Sequence, residues 1–301
     1  MASRRWAILL EEDVPVDPRK YGDLVASLLG LARLEARLLV RRGRGLFLEN
    51  VPETEALRIA EELLRDGIRS RLILQDQIPP FPRPVKVTQL EGGEEALAYR
   101  TSEGIAALPW EALLVASCGL VARPGCGDFF SHVPFENFPS FRGLEDRDRE
   151  IVRENLILKM TAPPPAEEPG KLPPAPVFEE IERRHGSRVR VYLDLLTADL
   201  GSWLRIPMEE VAYRHTPGQV WMGLSWGFQM LTDDLRKKCP AALTEISRKL
   251  LRGMDPRELV FPRIEEFTRY TTWVALRRRL GETGAGGPPG GIFLDGPSRP
   301  G

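Results

Sequence analysis

The sequence predicts an α+β fold: a small N-terminal module ordered β-α-α-β-α-β, then an antiparallel mixed sheet with a C-terminal helical layer. Three observations carry this. Between positions 6 and 74 the apolar residues alternate between a two-residue and a 3.6-residue period. Past a proline cluster at 79–84 the chain reads as short strands parted by glycine turns. From 226 to 280 the spacing is helical again.

The module is read first. Residues 6–10 form a strand in which Trp6, Ile8 and Leu10 alternate with Ala7 and Leu9, before an acidic stop. Over 20–29, Leu24, Val25, Leu28 and Leu29 share one helical face; Gly30 punctuates, and Leu31, Leu34, Leu38 and Leu39 make a second apolar face. Gly43 and Gly45 end that helix, and 46–48 is a strand. Pro52 opens a third helix with Ala56, Ala60, Leu63 and Leu64 as its buried stripe, Gly67 sits at the C-cap, and 71–74 is a strand.

The run Gly30-Leu31-Ala32-Arg33-Leu34-Glu35-Ala36-Arg37-Leu38-Leu39-Val40 resembles the C-terminal domain of the bacterial ribosomal stalk protein, whose second helix carries Gly-Leu-x-x-x-Glu-Ala-x-x-Leu-Val. Gly30, Leu31, Glu35, Ala36 and Val40 match, with Leu39 in the Leu position, and the stretch from Glu55-Ala56 to Asp66-Gly67 resembles that family's later helix. The Clp protease adaptor fold is similar more loosely. The resemblance covers about residues 5–75 and implies a compact docking module. One departure stands out: the family's binding helix is rich in Lys, whereas this one carries Arg33, Arg37, Arg41 and Arg42.

Residues 78–84 hold four prolines in seven positions, so they suit an extended linker rather than a helix or central strand. Strands are expected at 85–90 and 96–101 around Gly92-Gly93, and again at 105–108 and 113–116. Residues 189–196 and 203–206 repeat the hairpin. Leu108-Pro109-Trp110-Glu111 and Ile206-Pro207-Met208-Glu209 end the two hairpins alike. A hairpin followed by Ile/Leu-Pro-x-Glu resembles bacterial pleckstrin-homology-like domains, which bind proteins or lipids; the plainer expectation is two hairpins in one antiparallel sheet. Between them, 161–176 holds seven prolines in sixteen residues and is expected to be a flexible insertion.

Leu231, Leu235 and Cys239 then mark one helix, Leu243, Ile246, Leu250 and Leu251 another, and Ile264, Phe267, Tyr270 and Val274 a third. The Gly/Pro-rich end reads as disordered. The expected division is thus a module at 1–78, a linker at 79–84, an α+β domain at 85–282 and a tail at 283–301.

Lys and Arg total 42 against 43 Asp and Glu, a balance that lacks the footprint of a general nucleic-acid binder. No apolar run reaches the roughly 18–20 residues of a membrane span, and the apolar stretch near the start is too short for a signal peptide. Three cysteines form no disulfide framework, which points to a reducing, cytoplasmic setting.

Four groupings carry chemistry of interest. Cys118, Cys126, Asp128 and His132 are the clustered soft ligands, although spacings of eight and six do not fit a compact zinc knuckle. Cys126 and His132 also form a possible nucleophile–base pair. Phe129, Phe130, Phe135, Phe138 and Phe141 place five phenylalanines within thirteen residues, an apolar load that suits a docking segment. Arg33, Arg37 and Arg41 repeat every fourth residue and share a helix face. No phosphate-cradling glycine loop or nucleophile elbow is present, and no cofactor is expected. The sequence therefore points to a non-enzymatic intracellular adaptor or regulatory protein whose partner is another protein. A metal protein or enzyme using the Cys118–His132 neighbourhood, and ribosome or nucleic-acid association through the arginine face, are the alternatives; the sequence leaves the oligomeric state open.

Overall fold

The computed structural model describes residues 4–14, 16–43, 45–123, 189–214, 224–252, 260–282 and 292–293. The fold is α+β. Its first part follows the expected order: β1 (Arg5–Leu10), α1 (Pro18–Leu29), α2 (Arg33–Arg42), β2 (Leu46–Pro52), α3 (Glu53–Arg65) and β3 (Ser70–Leu74). β1 is central and antiparallel to both β2 and β3. Its even residues Trp6, Ile8 and Leu10 enter a core with Tyr21, Val25, Phe47, Ile59 and Leu63 from the helical layer and β2.

A polar clamp closes this layer. Lys20 Nζ and Tyr21 Oη both donate to the Asp66 carboxylate, at 2.5 Å and 2.6 Å, tying the first turn of α1 to the end of α3. These two donors hold the Asp66 carboxyl below its usual range, and burial together with Asp66 holds the Tyr21 hydroxyl above its own. A lowered carboxyl favours the folded state above its unfolded pKa, and this contribution fades as pH falls through the folded value. Asp66→Asn is therefore expected to lower the unfolding midpoint at neutral pH, with the gap to wild type narrowing in acid. Urea titrations across pH 3–7 read this directly, and a gap that stays constant with pH would remove the clamp from the explanation.

Beyond the prolines the strands divide between two sheets. One has the order β12-β8-β9-β10-β4, with β4 (Val85–Lys86), β8 (Leu113–Ala122), β9 (Val189–Thr197), β10 (Trp203–Pro207) and β12 (Val260–Phe261). The other has the order β11-β5-β6-β7, with β5 (Gln89–Gly92), β6 (Ala96–Thr101), β7 (Gly104–Pro109) and β11 (Ala212–Arg214). Both are mixed: β4, β11 and β12 each pair in parallel. The two hairpins do not share one sheet, because the chain changes sheets after each of them. The paired motifs mark these changes. After Pro109 a 3₁₀ turn at Trp110–Ala112 carries the chain from β7 into β8, and after Pro207 it passes from β10 to β11. Trp110 and Met208, one residue past each proline, are both buried in the large core that the two sheets share. β8 also runs past the expected end at 116 to Ala122, with every residue buried.

α4 (Leu224–Lys238) and α5 (Glu245–Leu251) cover these sheets. The buried Tyr213 hydroxyl donates to the Asp234 carboxylate of α4, and Ser247 Oγ of α5 accepts from Cys118 N and donates to Ala116 O. The last long helix, α6 (Ile264–Glu282), lies between the two parts of the chain. Phe267, Tyr270, Trp273 and Leu276 share one core with Ala7, Leu9, Leu46 and Ile73, the second face of the N-terminal sheet. Trp273 Nε1 donates to Leu10 O at 2.8 Å and Arg269 Nε to Leu46 O at 2.9 Å. β13 (Ile292–Phe293) adds an antiparallel edge to β3. Residues 161–176, expected as the insertion, lie outside the described residues. Among the described residues no helix is long and apolar enough to cross a membrane.

Candidate functional site

α2 is the least buried helix of the N-terminal layer. It starts abruptly: Gly30 turns in the left-handed conformation (φ 67°) and Leu31 N–H reaches back to Ala26 O, so α1 ends and α2 folds against it as a helical hairpin. Within α2 only Ala36 and Val40 are buried, one turn apart on the inward face. The outward face carries Leu34 at 72% exposure and Leu38 at 40%, again one turn apart. Arg33, Arg41 and Arg42 are exposed around them. Four arginines stand against one glutamate, Glu35, along ten residues.

The three expected arginines do not act alike. Arg37 leans over α1, where its guanidinium donates to both Asp23 oxygens at 3.0–3.2 Å. Its stem packs onto Gly22 so closely that a Cβ there would lie 2.3 Å from Arg37 Cγ. Arg37 is thus partly neutralised within the chain, while Arg33 and Arg41 project to solvent. The spacing puts Leu31, Leu34, Leu38 and Leu39 on one apolar face; in the structure Leu34, Leu38 and Leu39 are exposed, Leu39 at 39%. Ala36 and Val40 alone carry the packing of α2, which lies against α1 and β2.

Cys118 occupies the middle of β8 at 1% exposure. Burial, with the nearby Asp194 carboxylate, pushes its thiol far up, so it stays protonated, the form that neither attacks nor ligates well. Cys126, Asp128, His132, Phe129, Phe130, Phe135 and Phe138 lie outside the described residues. Among the described residues no three His, Cys, Asp or Glu side chains are placed to hold a metal ion.

A polar cluster that the sequence reading did not single out lies on the face of the five-stranded sheet beneath α6. Asp194 and Arg205 are cross-strand partners on β9 and β10. Arg205 grips the fully buried Asp194 carboxylate in a bidentate pair, Nε to Oδ1 at 2.8 Å and Nη2 to Oδ2 at 2.6 Å. Nη2 also donates to Thr268 Oγ1 of α6 at 2.9 Å, and the guanidinium lies 5.6 Å from the Phe267 ring centre. Burial pushes the Asp194 carboxyl up, and Arg205 opposes that push. Ser117 faces Asp194 across the ladder, and among the described residues its buried hydroxyl has no hydrogen-bond partner. The signal in the sequence was a charge inside the apolar run 193–196 and another inside 203–206, at positions that pair in a hairpin. With Asp194 fully buried and Arg205 largely so, the cluster works as an internal tie between β9, β10 and α6.

Compared with known proteins, the chain matches no family model, no curated protein and no solved structure.

Proposed function

We propose that this protein is a non-enzymatic adaptor or regulatory protein that acts through protein–protein contacts, with the outer face of α2 as its docking surface. The observation that carries the reading is Leu34: a leucine at 72% exposure, with Leu38 one turn on, set among arginines. Two exposed leucines on one helical ridge offer apolar anchors, and the arginines select an acidic partner around them. Nucleic-acid phosphates would engage the arginines and leave both leucines without a partner. The partner that fits is therefore an acidic protein segment bearing apolar side chains.

The test separates charge from anchor. Arg33→Glu/Arg41→Glu spares the Arg37–Asp23 pair, which a reversal at Arg37 would turn into repulsion. Leu34→Ser/Leu38→Ser removes the anchors. All four positions are exposed, so each change is expected to move stability by less than about 0.5 kcal/mol. Both double variants should lose partners that the wild-type full chain captures from native lysate in low salt. Capture by the wild type should itself fall in high salt, as the Debye length drops from about 10 Å at 0.1 M to about 3 Å at 1 M. Folded variants that recover an unchanged set of partners would reduce the face to a solvated exterior.

A further inference from the structure

The sheet β11-β5-β6-β7 ends in an open strand. β7 pairs with β6 on one side, and among the described residues no strand pairs with its other side. Gly104, Ile105, Ala106 and Ala107 are all exposed, Ile105 at 67%. Sheet edges are usually blunted by lysines, bulges, mid-strand prolines or covering elements. β7 has no charged residue, keeps unbroken register with β6 over six residues, and places its one proline last.

One hydrogen bond fixes which backbone groups are free. Trp110 N–H donates to Glu95 O at 3.1 Å. Bonded and non-bonded pairs alternate along an antiparallel ladder. Leu108, Ala106 and Gly104 therefore direct their N–H and C=O groups to β6, and Ile105, Ala107 and Pro109 direct theirs outward. Pro109 has no N–H, so it occupies an outward position where none is missed. The open ladder is reduced to two full positions, Ile105 and Ala107, symmetric about Ala106.

That pattern is its own complement. An antiparallel second copy with its two-fold axis at Ala106 sets Ile105 opposite the second copy's Ala107, twice. All four open donors and acceptors of these residues are then satisfied in each copy. Ala106 meets itself as a non-bonded pair, the closest approach in the ladder at about 4.5 Å between Cα atoms, where a small side chain suits. The strand carries no charge, so the symmetry doubles no repulsion. We propose that two copies of this chain associate through β7, joining their four-stranded sheets into one continuous sheet across a two-fold axis.

Sedimentation of the full chain over the micromolar range tests this. The wild type should show a reversible monomer–dimer equilibrium. Ala107→Pro removes an outward N–H that bonds nothing in the monomer, and Ile105→Lys sets two like charges near the axis; each should raise the dissociation constant about tenfold or more. Arg33→Glu/Arg41→Glu should leave it unchanged, which separates this contact from the α2 face. Because proline could disturb the hairpin, a third variant reads the geometry directly. In a Cys126→Ser background, Ala106→Cys should give a disulfide-linked dimer on mild oxidation, since a Cα separation of about 4.5 Å lies within disulfide range; Ser102→Cys, in the β6–β7 turn, should not. A wild type that stays monomeric throughout, a dimer indifferent to Ala107→Pro and Ile105→Lys, or an edge taken only by an extended segment of another protein would each overturn the proposal.

Discussion

Arg205→Met is expected to destabilise the protein by about 3–5 kcal/mol, because it leaves the buried Asp194 carboxylate without its counter-charge. The same change frees Thr268 of α6 from its bond to the sheet. With Arg205 gone, the largest pull opposing burial at Asp194 is lost, and its folded-state pKa lies above the unfolded value of about 3.9. A raised folded pKa favours folding at low pH and loses that contribution as pH rises through it. The defect of Arg205→Met should therefore be largest at neutral pH and smaller near pH 4. Removing both charges, as in Asp194→Leu/Arg205→Met, should recover most of the loss, since buried pairs are often replaceable by apolar residues of similar volume. Urea unfolding of the three chains at both pH values decides it. A loss below about 1 kcal/mol for Arg205→Met, or a double variant no better than the single, would show that the pair contributes no more than an exposed one.

The outcome also bears on what the sequence made legible. The N-terminal elements were readable because each is locally marked: Gly30, Gly43 and Gly67 punctuate helices whose apolar stripes keep one period. The Pro-x-Glu repeat was visible as well, but its meaning was not. A proline that ends a strand looks the same whether the chain returns to its own sheet or crosses to another; the strand pairing shows the crossing, and Trp110 and Met208 are buried just past it. Asp194 and Arg205 were hidden for a similar reason. A charge in an apolar strand reads as an outward residue until a second layer, here α6, is known to cover that face. The α2 leucines err in the opposite direction. Their helical spacing matches that of a core stripe, yet α2 turns its other side, Ala36 and Val40, to α1 and β2 and leaves the leucines outside.

Trp273→Ala is expected to cost about 3–5 kcal/mol as a large-to-small core change, and its effect should reach the N-terminal module. The indole of Trp273 fills the seam between α6 and the first sheet, with Nε1 bonded to Leu10 O. Its loss opens a cavity against Ala7, Leu9, Leu46 and Ile73 and leaves the Leu10 carbonyl without its indole partner. Gly45→Ala probes the seam from the other side. Gly45 holds φ at 76°, and a Cβ there would meet the Trp273 ring at 2.3–2.8 Å. That combines left-handed strain with a clash against a side chain that has no room to retreat. Both variants should speed amide exchange in β1 and β2 as well as in α6, because the strand Trp6–Leu10 is apolar on both faces and both faces are covered. Exchange that quickens only in α6 and the five-stranded sheet would mean that residues 1–78 stand alone, held by the core of α1, α2 and α3. If β1 and β2 open together with α6, the continuous apolar run at 6–10 marks a sheet sandwiched between two layers, and the module depends on a helix more than two hundred residues away in sequence.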